Sequence, residues 1–136
     1  IKVSRLEGGD NSLLLERKVA GKACQMVVDT GATHTIVRKG FIPNLKLHTP
    51  SRGYLIETAN GESMEVAGEA QVTIEVGSKQ IPHRAFVANI SDPVILGMDF
   101  MNSHKVVLDF DERSIRIGNE ETTLKMSKED VGVIRQ

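Results

Sequence analysis

No stretch of this chain limits its possible folds more than Met26-Val27-Val28-Asp29-Thr30-Gly31-Ala32. An apolar strand stops at a carboxylate, which is followed by a small hydroxyl residue and a glycine. A carboxylate at the mouth of an apolar strand is costly unless it is hydrogen-bonded or put to use. Thr30 offers a hydroxyl for that bonding, and Gly31 lets the backbone turn sharply beside the carboxylate. One kind of chemistry uses such a group in pairs: two facing carboxylates that share a proton can activate a water against a peptide bond. The chain carries one Asp-Thr-Gly, so the second carboxylate would come from a second copy.

The bulk properties narrow the setting. At 136 residues the chain is one domain's length and can bury a core without disulfide staples. Its 17 basic and 18 acidic residues leave a formal charge of −1, which argues against nucleic acid or an anionic membrane as partner. No apolar run approaches a membrane span, and no basic-then-apolar leader opens the chain, so neither a membrane partner nor a secretory signal is expected. The first residue, Ile1, fits a piece cut from something longer. Cys24 is the only cysteine, so no internal disulfide can form and a reducing compartment is expected. It reads as a small core residue, since no local base would make its thiol catalytic. His48, His83 and His104 are scattered without metal-ligand spacing, so no metal or cofactor is expected.

The chain reads as short strands and turns. Leu13 to Val19 is strand-like, and Ala20-Gly21-Lys22 turns it back into Cys24 to Val28. Ile36-Val37 resumes an apolar stretch, and Phe41 to Pro50 is loop. Ala70, Val72, Ile74 and Val76 alternate with polar residues as on a half-buried strand, and Ile81 to Ile90 returns as its partner. Val94-Ile95-Leu96 is a short apolar run closed by Gly97, and Gly97 to His104 makes the only helix, about two turns long. Lys105 to Phe110, Ser114 to Ile117 and Thr122 to Met126 are further strands, and the last ten residues are polar and loose. Asn60-Gly61 signals a two-residue hairpin turn, which would set Thr58 opposite Ser63 and Ile56 opposite Glu65. In that register neither face is consistently apolar, so the hairpin projects and moves. The runs Val27 to Gly31 and Val94 to Gly97 form a weak repeat that would pack together in a barrel of approximate twofold symmetry.

These motifs, in this order, resemble the retropepsins, the single-domain aspartic proteases of retroviruses and long-terminal-repeat retrotransposons. The matching residues are Val28-Asp29-Thr30-Gly31-Ala32, Thr58-Ala59-Asn60-Gly61 and Val94-Ile95-Leu96-Gly97-Met98-Asp99-Phe100, closest in look to gypsy-type elements. The resemblance implies an all-β fold: a retropepsin-like closed β-barrel with a flap hairpin and one short C-terminal helix, homodimeric. It divides the chain into an N-terminal extension at 1–9, a protease domain at 10–118 and a C-terminal extension at 119–136. It implies an aspartic endopeptidase acting on polyprotein, in the cytoplasm or within virus-like particles. The partners would be a second identical chain and an extended polypeptide. Asp29, Thr30 and Gly31 would be the catalytic residues, with Thr30 bonding across the twofold axis. Ala32, Thr33, His34, Thr58, Ala59, Asn60, Gly61 and Ile95 would bind substrate, with Leu96 and Gly97 supporting the loop.

The chain departs from retroviral members at three places. The acid and arginine that often pair beside the active-site loop are here Thr33 and Met98, and Asp99 would instead cap the helix start. The flap is poorer in glycine. Retroviral chains end near the position of Phe110, in a strand woven into the dimer, whereas this chain runs on to Gln136. Asp109 and Asp111 lack a following Thr/Ser-Gly and read as turn residues. Three other readings stay open at this level. They are an idle peptide-binding or dimerisation module of a domesticated element, an active protease serving a host role, and a monomer blocked by residues 111–136.

Overall fold

The computed structural model describes residues 12–49, 53–57 and 61–126. The described elements are β1 (Leu13–Val19), β2 (Lys22–Val28), β3 (Ile36–Arg38), β4 (Leu55–Glu57), β5 (Ser63–Glu65), β6 (Gly68–Val76), β7 (Lys79–Ala88), β8 (Val94–Leu96), α1 (Met98–Ser103), β9 (Val107–Asp109), β10 (Ser114–Ile117), β11 (Glu120–Thr123) and β12 (Lys125–Met126). β1 and β2 join through Ala20 and Gly21, both at positive φ (51° and 79°), the twist that a two-residue hairpin turn requires. In β6 every second residue from Ala70 to Val76 is buried, as the alternation of its sequence dictates.

Seven strands form one sheet in the order β12-β1-β2-β8-β3-β7-β6, and β1 also pairs with β6, so the sheet closes into an all-β barrel. β8 inserts between β2, to which it is parallel, and β3, to which it is antiparallel. The two apolar runs ending in glycine are therefore neighbours: Val28 sits opposite Leu96, and Asp29 and Gly97 emerge side by side. The main core gathers Leu15, Met26, Val37, Ile74, Leu96 and Phe100, and a second cluster gathers Leu14, Val27, Ala32, Ile36, Ile56 and Ile95.

The flap hairpin differs from its sequence reading by one residue. Glu57 pairs with Ser63, Ile56 with Met64 and Leu55 with Glu65, so five residues connect the strands. The two-residue Asn-Gly turn would have set Ile56 against a glutamate. The observed register joins two apolar side chains instead, and burying them outweighs the local turn preference. Ile56 is 0 % exposed and packs in the second cluster, so the hairpin does have a core face. Ile56→Ala is expected to destabilise the fold by about 2–5 kcal/mol in chemical denaturation.

The strand read at Thr122 to Met126 breaks at buried Leu124, where the chain crosses from β10 to the edge of β1. Residues 120–126, within the stretch read as an extension, thus add strands to both larger sheets. The last ten residues, read as loose, lie outside the described residues.

Candidate active site

Asp29 leaves β2 held at every backbone point. Its N–H donates to Leu96 O at 3.0 Å, and its carbonyl oxygen accepts from Ala32 N–H at 3.1 Å. Its Oδ1 accepts from Gly31 N–H at 2.9 Å. Its Oδ2 is buried and has no hydrogen-bond partner among the described residues, although the residue is only 8 % exposed. Leaving a buried acceptor unpaired costs about 1–3 kcal/mol. The carboxylate is therefore fixed by one oxygen, and the other is left unpaired within the chain.

Thr30 does not supply the bond that its sequence position offered. It is exposed, and the Gly31 N–H takes that role because a tight turn aims this backbone donor at the carboxylate. Ala32 and Ile95 are buried in the second cluster and back the loop from beneath. Thr33 is exposed, with its Oγ1 2.9 Å from His34 Nδ1. His34 is half-buried and packs edge-on against Phe86, with ring centroids 5.3 Å apart. Phe86 in turn meets Tyr54 at 4.8 Å, so an aromatic row runs from the active-site loop to the base of the flap. Gly61 is exposed at φ +86°. Thr58, Ala59 and Asn60 lie outside the described residues.

The segment that follows β8 clamps this loop. Met98 N–H donates to Ala32 O at 2.8 Å, and Asp99 N–H to Thr33 O at 3.2 Å. A Cβ on Gly97 would lie 2.5 Å from the His34 carbonyl oxygen, so only glycine permits this approach. Thr35, fully buried, donates from Oγ1 to Asp99 Oδ1 at 2.7 Å and accepts from Gly97 N–H at 3.1 Å.

Asp99 serves the helix start from within its first turn and not from the N-cap position. The N-cap is Gly97, without a side-chain cap, and Asp99 Oδ1 accepts from Phe100 N–H at 2.7 Å. Its Oδ2 lies 3.2 Å from His83 Nε2, and His83 Nδ1 lies 3.3 Å from His104 Nε2. Burial alone would raise the Asp99 carboxyl, but the hydrogen bonds from His83 and Thr35 outweigh it and bring it to about 2. Burial pushes the His104 imidazole down, and charge on His83 pushes it the same way. The network draws on three separate parts of the chain, the Thr35 loop, β7 and α1 with its C-cap, and no spacing in the sequence could have announced it.

The remaining candidates are structural. Cys24 packs against the main core, and burial pushes its thiol up to about 11, the inert state expected of a core cysteine. Asp109 accepts from Glu112 N–H at 3.0 Å in the turn after β9.

Comparison with known proteins gives a consistent result. The model of the family described as "gag-polyprotein putative aspartyl protease" matches residues 15–103. Among solved structures, the retroviral protease-like domain of Ddi1 from Leishmania major is similar, with a TM-score of 0.70 at 18 % identity over 84 % of this chain and 96 % of that one. EIAV protease, solved with the inhibitor HBY-793, is also similar, with a TM-score of 0.54 at 21 % identity over 78 % of this chain and 100 % of that one.

Proposed function

Because this chain belongs to the gag-polyprotein aspartyl protease family and folds as a retropepsin does, we propose that it is an aspartic endopeptidase working as a homodimer. One observation supports this above the others: Asp29 Oδ2 is buried without a partner while Oδ1 is pinned. In this reading the group that Oδ2 meets is the same carboxylate of a second chain. Identical chains giving one aspartate each require a twofold axis through the site. Two carboxylates facing each other across that axis share one proton and titrate as a pair. A water between them attacks the scissile carbonyl carbon. The ionised carboxylate takes the water's proton, and the protonated one hydrogen-bonds the carbonyl oxygen as it becomes the oxyanion. The substrate is extended polypeptide, bound by its backbone between the loop and the flap.

Exposed apolar side chains near an edge strand support a second copy. Val107 on β9 is 44 % exposed and Phe110 just after it 65 %, and β9 is an edge strand among the described residues. The test is cleavage of a diverse peptide library across protein concentration and pH. At low concentration the rate should rise with more than the first power of protein. Phe110→Asp should weaken the dimer by roughly tenfold or more, the scale of burying one aromatic side chain, and lower the rate in parallel. A folded chain that cleaves nothing at any concentration would instead favour an idle peptide-binding module.

A further inference from the structure

The active-site loop is anchored through a set of groups that no part of the proposed chemistry uses. Asp99 ties three things together: Thr35 at the end of the loop, the first turn of α1, and His83 on β7. Thr35 passes the tie to Gly97, and Met98 and Asp99 grip Ala32 and Thr33 by backbone bonds. The order of hydrogen bonding is forced at one end. Asp99 Oδ1 already accepts twice, so Oδ2 is the oxygen left for His83. A carboxylate only accepts, so His83 Nε2 must carry a proton.

We propose that Asp99 is the positioning residue for the Asp29 loop, acting through Thr35, and that it must be a carboxylate because it faces a histidine that donates in both of its charge states. Neutral His83 donates from Nε2 to Asp99 and accepts at Nδ1 from His104 Nε2–H. Protonated His83 still donates from Nε2 to Asp99 and now donates from Nδ1 to His104. The clamp is therefore indifferent to the charge on His83. The titratable groups facing His83 are Asp99 from α1 and His104 at its end. Arg84, the next residue on β7, is paired with Glu69 at 3.4 Å. Thr35 brings no charge. Asp99 itself stays ionised down to about 2, so the tie survives the acid range in which a shared-proton pair of carboxylates works.

An amide at position 99 separates positioning from mere packing. In Asp99→Asn the shape is kept, and Oδ1 still accepts from Thr35 and Phe100. The NH₂ now faces His83 Nε2, which can accept only while the ring is neutral, as the other tautomer. Once His83 is protonated, two donors face each other and the clamp opens. His83→Gln in the same chain restores a partner, because its amide oxygen accepts at every pH.

The experiment measures hydrogen exchange of the Met98 N–H, which is bonded to Ala32 O, with amides of β10 as the fold control. Wild type, Asp99→Asn and the double variant Asp99→Asn/His83→Gln are compared at about pH 7.5 and about pH 5, on either side of the ordinary histidine range. At the higher pH all three should agree within about threefold. At the lower pH Asp99→Asn should exchange about tenfold or more faster than wild type, and the double variant should return to within about threefold. Equal exchange of Asp99→Asn and wild type at the lower pH, or no recovery in the double variant, overturns the proposal. The same chains assayed for peptide cleavage should show the same pH-dependent loss in kcat and the same rescue, an arm that rests on the protease reading. If none of them cleaves while the exchange pattern holds, the protease reading fails and the positioning role stands.

Discussion

Asp29→Asn is expected to abolish cleavage, a loss of about 10⁴-fold or more, the scale on which members of a catalytic unit act. It should leave the fold intact, because the two oxygens of Asp29 do different work. Oδ1 accepts from Gly31 N–H, and an amide oxygen accepts that bond equally well. Oδ2 is buried without a partner, so replacing it by NH₂ breaks no bond within the chain. The substitution trades one unpaired buried polar atom for another, so the thermal midpoint should hold. In the proposed dimer two neutral amides face each other, and neither can take a proton from water. Peptide cleavage, a thermal melt and sedimentation on the same preparation check each part. Full cleavage by a folded, dimeric Asp29→Asn chain would remove Asp29 from the chemistry.

The part of the site that was legible in the sequence is the part built from contiguous residues. Val27 to Gly31 announces a strand, a carboxylate and a turn because all three follow from local chemistry. The structure puts that turn beside Gly97, as the second glycine-ended run implied. What required the fold to be seen is where residues distant in sequence compete with a local preference. Asn60-Gly61 favours a tight turn, but the pairing of Ile56 with Met64 buries more apolar surface and moves the register. Thr30 has the right hydroxyl, yet the turn brings the Gly31 N–H to the carboxylate instead. Asp99 reads as an acid at a helix start and does accept from Phe100 N–H, but its other partners, Thr35 and His83, come from elements that only the closed barrel brings together.

Gly97→Ala is expected to lower both stability and cleavage, and both losses have one cause. At φ −100° and ψ −175° the backbone of Gly97 is open to any residue. At such a position an alanine ordinarily stabilises by about 0.4–1 kcal/mol through the unfolded chain. Here its Cβ would meet the His34 carbonyl oxygen at 2.5 Å, the carbonyl carbon at 2.6 Å and the nitrogen at 2.9 Å. All three are backbone atoms, so no flexible side chain can move aside. That backbone belongs to the loop that Met98 and Asp99 hold through Ala32 and Thr33, so relief of the clash must displace the loop carrying Asp29. The expected cost is about 1–3 kcal/mol in denaturation, the scale of overpacking a fixed site. Cleavage should fall further than stability accounts for, by about 10²-fold, because small misplacements of reacting groups are amplified in rate. Gly53→Ala is the control, since nothing lies within 4 Å of its Cβ position, and it should change stability by no more than about 0.5 kcal/mol. If the two variants behave alike in both assays, then the close approach of β8's end to His34 is not what holds the catalytic loop, and the burden passes to the hydrogen bonds of Asp99 and Thr35.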